Sequence, residues 1–142
     1  MEHPLVVDPD DPLVRRIRGI CLAFPEAAEV RAWGRPTFRA GKKIFALVGA
    51  GMERPHDLVF KPDPEERLAL VQDSRFYLPP YWGPSGWLAI GLDRDDLDWT
   101  ELAELIDTSY RQVALKRQIR ELDGSESRRG AGLPSSPGAG TG

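Results

Sequence analysis

Leu13, Ile17, Ile20 and Phe24 recur three or four residues apart, the spacing that lines one face of an α-helix. Asp11-Pro12 opens the run with a side chain able to accept from first-turn N–H groups and a proline suited to the first helical position. The pattern predicts a helix over 12–23, ended by Pro25. Short runs then follow at 29–32, 36–39, 43–48 and 56–61, separated by Gly34-Arg35-Pro36, Gly41-Lys42 and Gly49-Ala50-Gly51. In the third run Ile44, Ala46 and Val48 alternate with Phe45 and Leu47. Closely spaced runs with glycine-containing connections predict strands of an antiparallel meander.

Asp63-Pro64 repeats the helix-start signal, with Glu66 completing a capping-box spacing. That second helix carries Leu68, Leu70 and Val71 and ends near Gln72. A fifth strand covers 87–92. Asp98 caps a third helix whose stripe of Trp99, Leu102, Ile106, Tyr110 and Val113 runs on to Ile119 and Leu122. From Asp123 the chain turns to Gly, Ser and Pro, which bury too little surface to offset ordering entropy. The expected division is a loose lead-in at 1–11, an α+β domain at 12–122 and a disordered tail at 123–142.

The stretch from Phe76 to Ile90 interrupts this regular pattern. It holds Tyr77, Tyr81, Trp82 and Trp87 among Pro79, Pro80, Gly83, Pro84 and Gly86. Rings bring large burial area, and proline and glycine fix backbone angles that other residues resist. Such a segment is a braced corner or the wall of a site. Tyr81-Trp82 belongs to the loop, and 87–90 to the core strand.

Composition narrows the functions open to this domain. A chain of 142 residues is long enough for one hydrophobic core. Its net charge of −3 excludes a uniformly basic nucleic-acid binder and leaves room for a local basic patch. Cys21 is the lone cysteine, so no internal disulfide forms; a reducing, cytoplasmic setting is expected. No basic n-region or long apolar run marks a signal peptide or a membrane helix.

Two constellations carry candidate chemistry. Arg31, Arg35, Arg39, Lys42 and Lys43 form a run with no acid among them, and the three arginines share strand parity. A ribbon bearing them is suited to tracking phosphates, with Trp33 stacking on a base. The alternative is an aromatic pocket of Trp33, Phe38, Tyr81, Trp82 and Trp87 for a small molecule or peptide. A positive strip beside the aromatic corner favours nucleic acid; an apolar cavity favours a small ligand.

Other chemistry is weaker. Cys21 lies near the apolar face of the first helix and reads as a small buried hydrophobe. His3 and His56 stand apart, with no metal-ligand spacing. Asp93, Asp95, Asp96 and Asp98 read as an acidic loop leading into a capped helix. Ser109 has no nearby base and reads as a helix-surface hydroxyl. Gly49-Ala50-Gly51 lacks the helix and lysine of a phosphate loop. Glu26 and Glu29 are the remaining acid–base pair, if they converge across the mouth of the sheet.

Several segments together resemble the MmcQ/YjbR family of small bacterial proteins, whose fold is related to that of CyaY and frataxin. They are Phe24-Pro25-Glu26-Ala27-Ala28-Glu29, Trp33-Gly34-Arg35-Pro36-Thr37-Phe38, Gly41-Lys42-Lys43-Ile44-Phe45-Ala46, Phe60-Lys61-Pro62-Asp63-Pro64, Pro79-Pro80-Tyr81, Gly86-Trp87-Leu88 and Ser109-Tyr110-Arg111-Gln112-Val113. They keep the family's order across roughly residues 13–118. The resemblance implies an antiparallel sheet of about five strands with helices on one side. It also brings a proposed DNA-binding role by fold analogy and implies no catalytic activity. The frataxin-related fold suggests iron through carboxylates, which directs attention to Asp93, Asp95, Asp96 and Asp98, but the acidic loop is the simpler account and no cofactor is expected. Two departures stand out. The family's basic residue before the counterpart of Trp87 is missing from Pro84-Ser85-Gly86-Trp87, and Leu115 stands where a proline is common, which predicts a longer last helix. The expected function is a non-enzymatic binding protein with DNA as partner; the alternative is a small-molecule or peptide module.

Overall fold

The computed structural model describes residues 4–132, with side chains to 126. Helix α1 (Pro12–Cys21) leads into strands β1 (Ala27–Ala32), β2 (Arg35–Ala40), β3 (Lys43–Val48) and β4 (Asp57–Phe60). Helix α2 (Pro64–Val71), the two-residue strand β5 (Phe76–Tyr77) and strand β6 (Leu88–Gly91) follow, then α3 (Trp99–Val113) and α4 (Lys116–Gly132). The six strands form one antiparallel sheet in the order β1-β2-β3-β4-β6-β5. The expected α+β class holds, with one strand more than the sequence suggested.

The three aspartate caps lie where their spacing placed them. Asp11 accepts from the Leu13 amide at 2.8 Å, Asp63 from Glu65 at 2.8 Å and Asp98 from Thr100 at 3.0 Å. Each satisfies an amide that the first helical turn would otherwise leave unpaired, worth about 1 kcal/mol. Val14 and Ile17 of α1 and Leu102, Ile106 and Tyr110 of α3 bury against Phe38, Phe45, Ala46, Leu58, Phe60, Leu88 and Ile90 of the sheet. Tyr110 stacks on Phe24 with ring centroids 4.8 Å apart and meets the edge of Phe45 at 5.2 Å. Cys21 is fully buried in this core, and burial pushes its thiol pKa up.

Several expectations change. The simple alternation expected of 43–48 is broken by a bulge: Phe38 faces Ala46, Arg39 faces Ile44, and Phe45 has no partner in β2. Phe45 and Ala46 therefore both reach the helix-side core. The last helix does not run on through Leu115. It breaks at Ala114, whose ψ is 157°, and restarts at Lys116. The restart is held by Gln118, whose Oε1 accepts from the Leu115 amide at 2.8 Å, half of a capping box.

The folded region also extends beyond 12–122 at both ends. Val7 is buried in the core and the Val6 amide donates to the Gly34 carbonyl at 2.8 Å, so residues of the expected loose lead-in are docked. Helix α4 continues past Leu122 to Gly132. Leu122 is buried, and Arg111 pairs with Asp123 at 2.9 Å and Glu126 at 3.6 Å, contacts that composition alone does not reveal. The remainder of the expected tail, 133–142, lies outside the described residues. Among the described residues, no helix is long and apolar enough to cross a membrane.

Candidate aromatic cleft

Strand register decides which face each candidate residue occupies, because directly paired residues share a face. Arg31 pairs with Pro36 and Glu29 with Phe38, so Arg31 lies on the helix side. Ala32 pairs with Arg35 and Ala28 with Arg39, so those two arginines lie on the opposite side. The shared parity expected of Arg31, Arg35 and Arg39 is thus overturned. The turn sits at Trp33-Gly34, one residue earlier than expected. Their φ values of 55° and 78° are those of a two-residue hairpin turn matched to strand twist.

The face opposite the helices has its own small core of Leu47, Ala50, Val59 and Ala89. The aromatic stretch roofs it: Tyr77, Trp82 and Trp87 pack on these residues, with Ile44 beside them. Trp82 precedes a short 3-10 turn at Gly83–Ser85 that returns the chain to β6. Arg67 of α2 donates to the Gly86 carbonyl at 3.3 Å. A basic side chain from another element thus reaches the turn where the local sequence has no charge.

At one end of this roof lies a cleft of about 380 Å3, lined by Trp33, Arg35, Tyr81 and Trp82 with Pro4, Val6, Ala50, Met52 and Pro80. Its size falls in the roughly 300–1,000 Å3 range of small-molecule sites. Trp33 and Trp82 meet edge to face at 6.5 Å, and Tyr81 and Trp82 at 5.4 Å. Trp33 and Tyr81 remain 41% and 83% exposed. Both hold left-handed backbone, with φ of 55° and 79°. That conformation costs a side-chain-bearing residue about 1–2 kcal/mol. Two bulky residues bear that cost at one cleft while leaving their rings in solvent.

Arg35 supplies the cleft's charge. Its Nε donates to the Trp33 carbonyl at 3.1 Å and its Nη1 to the Gly49 carbonyl at 2.6 Å. The guanidinium carbon lies 5.2 Å from the Trp82 ring centroid. Partial burial lowers its pKa, with no neighbouring acid to offset the effect. An arginine stays protonated regardless, so this is an oriented cation without a carboxylate partner among the described residues.

The remaining candidates are dispersed. Phe38 is fully buried on the helix side, and Trp87 packs on the second core outside the cleft, so the expected five-ring pocket reduces to Trp33, Tyr81 and Trp82. Arg39 is half-buried and donates to the Thr37 hydroxyl at 3.1 Å. Lys42 and Lys43 are exposed at the far end of β2, a six-residue strand. Its length separates them from Arg35 by roughly 17 Å. Glu29 pairs with Arg18 at 2.6 Å, while Glu26 is held by Arg117 and by Gln118 at 2.9 Å, so the two carboxylates do not converge. Asp96 pairs with Arg94 at 2.8 Å and Asp98 caps α3. Among the described residues no group of three or more His, Cys, Asp or Glu side chains is placed to hold a metal ion. Sequence reasoning missed Pro4 and Val6 as cleft residues. The apolar run Leu5-Val6-Val7 in the lead-in was the available signal.

A solved structure shares this fold. The crystal structure of a Deinococcus radiodurans protein with a DUF419 domain is 24% identical and aligns with a TM-score of 0.63, covering 78% of this chain and 87% of its own. That likeness establishes the fold. No curated protein matches the chain. The YjbR family model matches residues 22–112, from the end of α1 through most of α3 and including the hairpin and roof that build the cleft. On that match, the chain belongs to the YjbR family.

Proposed function

We propose that this protein is a binding domain for a small organic ligand held in the cleft of Trp33, Arg35, Tyr81 and Trp82. The observation that carries the reading is the pairing of strain with exposure. Trp33 and Tyr81 both sit at positive φ and both turn their rings toward one cleft. Strained non-glycine residues concentrate at ligand clamps, where the surrounding fold holds them. Binding rather than acid–base catalysis is supported by Glu26 and Glu29, each engaged by a different arginine.

Duplex DNA is the rival partner. Arg31, Lys42 and Lys43 are its exposed cations. They do not lie in one strip with Arg35, because Arg31 is on the other face and the lysines are at the far end of β2, beside Arg39. An apolar cleft with one cation suits a small ligand better than it suits a phosphate backbone.

A thermal-shift screen of small aromatic compounds, run beside a low-salt titration with duplex DNA, separates the two. The expected result is a concentration-dependent rise in Tm that is lost in Tyr81→Ala and Trp33→Ala. No compound raising Tm, together with DNA affinity abolished by Lys42→Ala plus Lys43→Ala, would overturn the small-ligand reading.

A further inference from the structure

Resting on the small-ligand reading above, we infer that the cleft selects a planar aromatic or similarly flat ligand bearing one anionic group, a carboxylate or a phosphate, that binds Arg35 through Nη2. Arg35 is placed before any ligand arrives. The carbonyls of Trp33 and Gly49 take Nε and Nη1, which fixes the guanidinium plane and leaves Nη2 donating to no described residue. Both carbonyls are backbone, so they orient the cation without neutralising it. The positive charge stays on the cleft wall, partly desolvated.

A half-desolvated cation without a counter-charge is costly, and an anion delivered beside it recovers charge-assisted hydrogen bonds roughly twice as strong as neutral ones. The rest of the lining supplies the complementary chemistry. Trp33, Tyr81 and Trp82 offer π faces and edges, and Met52 and Pro80 add apolar surface. A flat ring buried there with its acid toward Arg35 satisfies every feature of the lining. A cationic amine would meet Arg35 directly, and a neutral ring would leave Nη2 unpaired.

The carboxylate and phosphate forms share this chemistry, and a matched pair of probes tells them apart. Isothermal titration calorimetry with 2-naphthoate, 2-naphthyl phosphate, 2-naphthamide and 2-naphthylmethylamine reads the preference on the full chain. We expect 2-naphthoate or 2-naphthyl phosphate to bind at least tenfold more tightly than the amide, with no measurable binding of the amine. Arg35→Gln should abolish the anion preference, bringing anion and amide affinities within about twofold of each other. Tyr81→Ala should weaken both anion and amide together, and Arg31→Ala, on the other face, should change neither. A melting curve for each variant confirms that it is folded. Equal affinity for anion and amide would overturn the anion inference and leave the cleft reading standing. Absence of binding by all four probes at millimolar concentration would overturn both. The tighter of the two anions identifies the acid class.

Discussion

The Ser109 hydroxyl donates to the Phe45 carbonyl at 2.5 Å, tying the middle of α3 to the bulged residue of β3. The same oxygen accepts from the Lys61 amide at 2.8 Å, just past the end of β4. The β3–β4 ladder runs through Ala46 and Phe60, so Phe45 and Lys61 would be its next pair. Ser109 is inserted between them and relays the bond that the ladder does not close directly. It is fully buried, so the helix-surface role expected from the sequence gives way to an internal bridge. Ser109→Ala leaves a carbonyl and an amide unpaired, at about 1–3 kcal/mol each. The expected loss is roughly 2–6 kcal/mol, read as a lower urea midpoint with an unchanged m-value. A loss below about 0.5 kcal/mol would show that water or a closing ladder replaces the hydroxyl.

Tyr110 makes the domain sensitive to high pH. Its hydroxyl donates to the Pro25 carbonyl at 2.7 Å, and burial, reinforced by Glu26 and Glu121, pushes its pKa up to about 12. An unfolded tyrosine titrates near pH 10. Between about pH 10 and 12 the unfolded chain gives up the phenol proton while the folded chain keeps it. The stabilising contribution is therefore complete below about pH 10 and is lost as pH rises through that window. Tyr110→Phe should cost about 1 kcal/mol at neutral pH by losing the hydrogen bond. It should also flatten the fall in stability across the alkaline window, measured by denaturation at several pH values. Parallel pH profiles for wild type and variant would exclude Tyr110 as the titrating group.

Tyr81 separates backbone strain from ring contribution. Its φ of 79° favours glycine, and its ring is 83% exposed, so the fold gains little from the side chain. Tyr81→Gly should be more stable than Tyr81→Ala by about 1 kcal/mol, because only glycine relieves the left-handed penalty. Both variants remove the ring from the cleft, so both should lose ligand binding to the same extent. Equal stability of the two variants in thermal melts would indicate that the loop relaxes and that Tyr81 holds no strain.

The fold was largely legible because its signals are local. The caps at Asp11, Asp63 and Asp98 and the stripe on α3 depend on residues within one or two turns. The cleft was only partly legible. Trp33, Tyr81 and Trp82 stood out by type, but Phe38 was sorted to the helix side by register, which a single strand does not reveal, and Trp87 packs on the second core beyond the cleft. The arginine parity failed because the tight turn came at Trp33-Gly34, and tryptophan is not a residue that marks a turn. Composition alone hid the continuation of α4, whose Asp123 and Glu126 are satisfied by Arg111 on another helix.

Gly34 links that turn to the amino-terminal segment and gives the strictest test of the cleft's outer wall. A Cβ on Gly34 would lie 1.9 Å from the Pro4 carbonyl oxygen, in addition to the strain of φ at 78°. Gly34→Ala therefore carries two penalties: about 1–2 kcal/mol of left-handed strain, and displacement of residues 4–7 with loss of Val7 burial worth roughly 1.5–3 kcal/mol. Gly34→Asn separates them, since asparagine tolerates the left-handed region yet still carries a Cβ. If the close approach to Pro4 dominates, the asparagine variant should lose nearly as much stability as the alanine variant. Both should then expose the segment to proteolysis and weaken ligand binding, because Pro4 and Val6 line the cleft. If Gly34→Asn instead matches wild type in melting temperature and protease resistance, conformational strain alone explains the glycine, and the docked segment is not required to complete the wall.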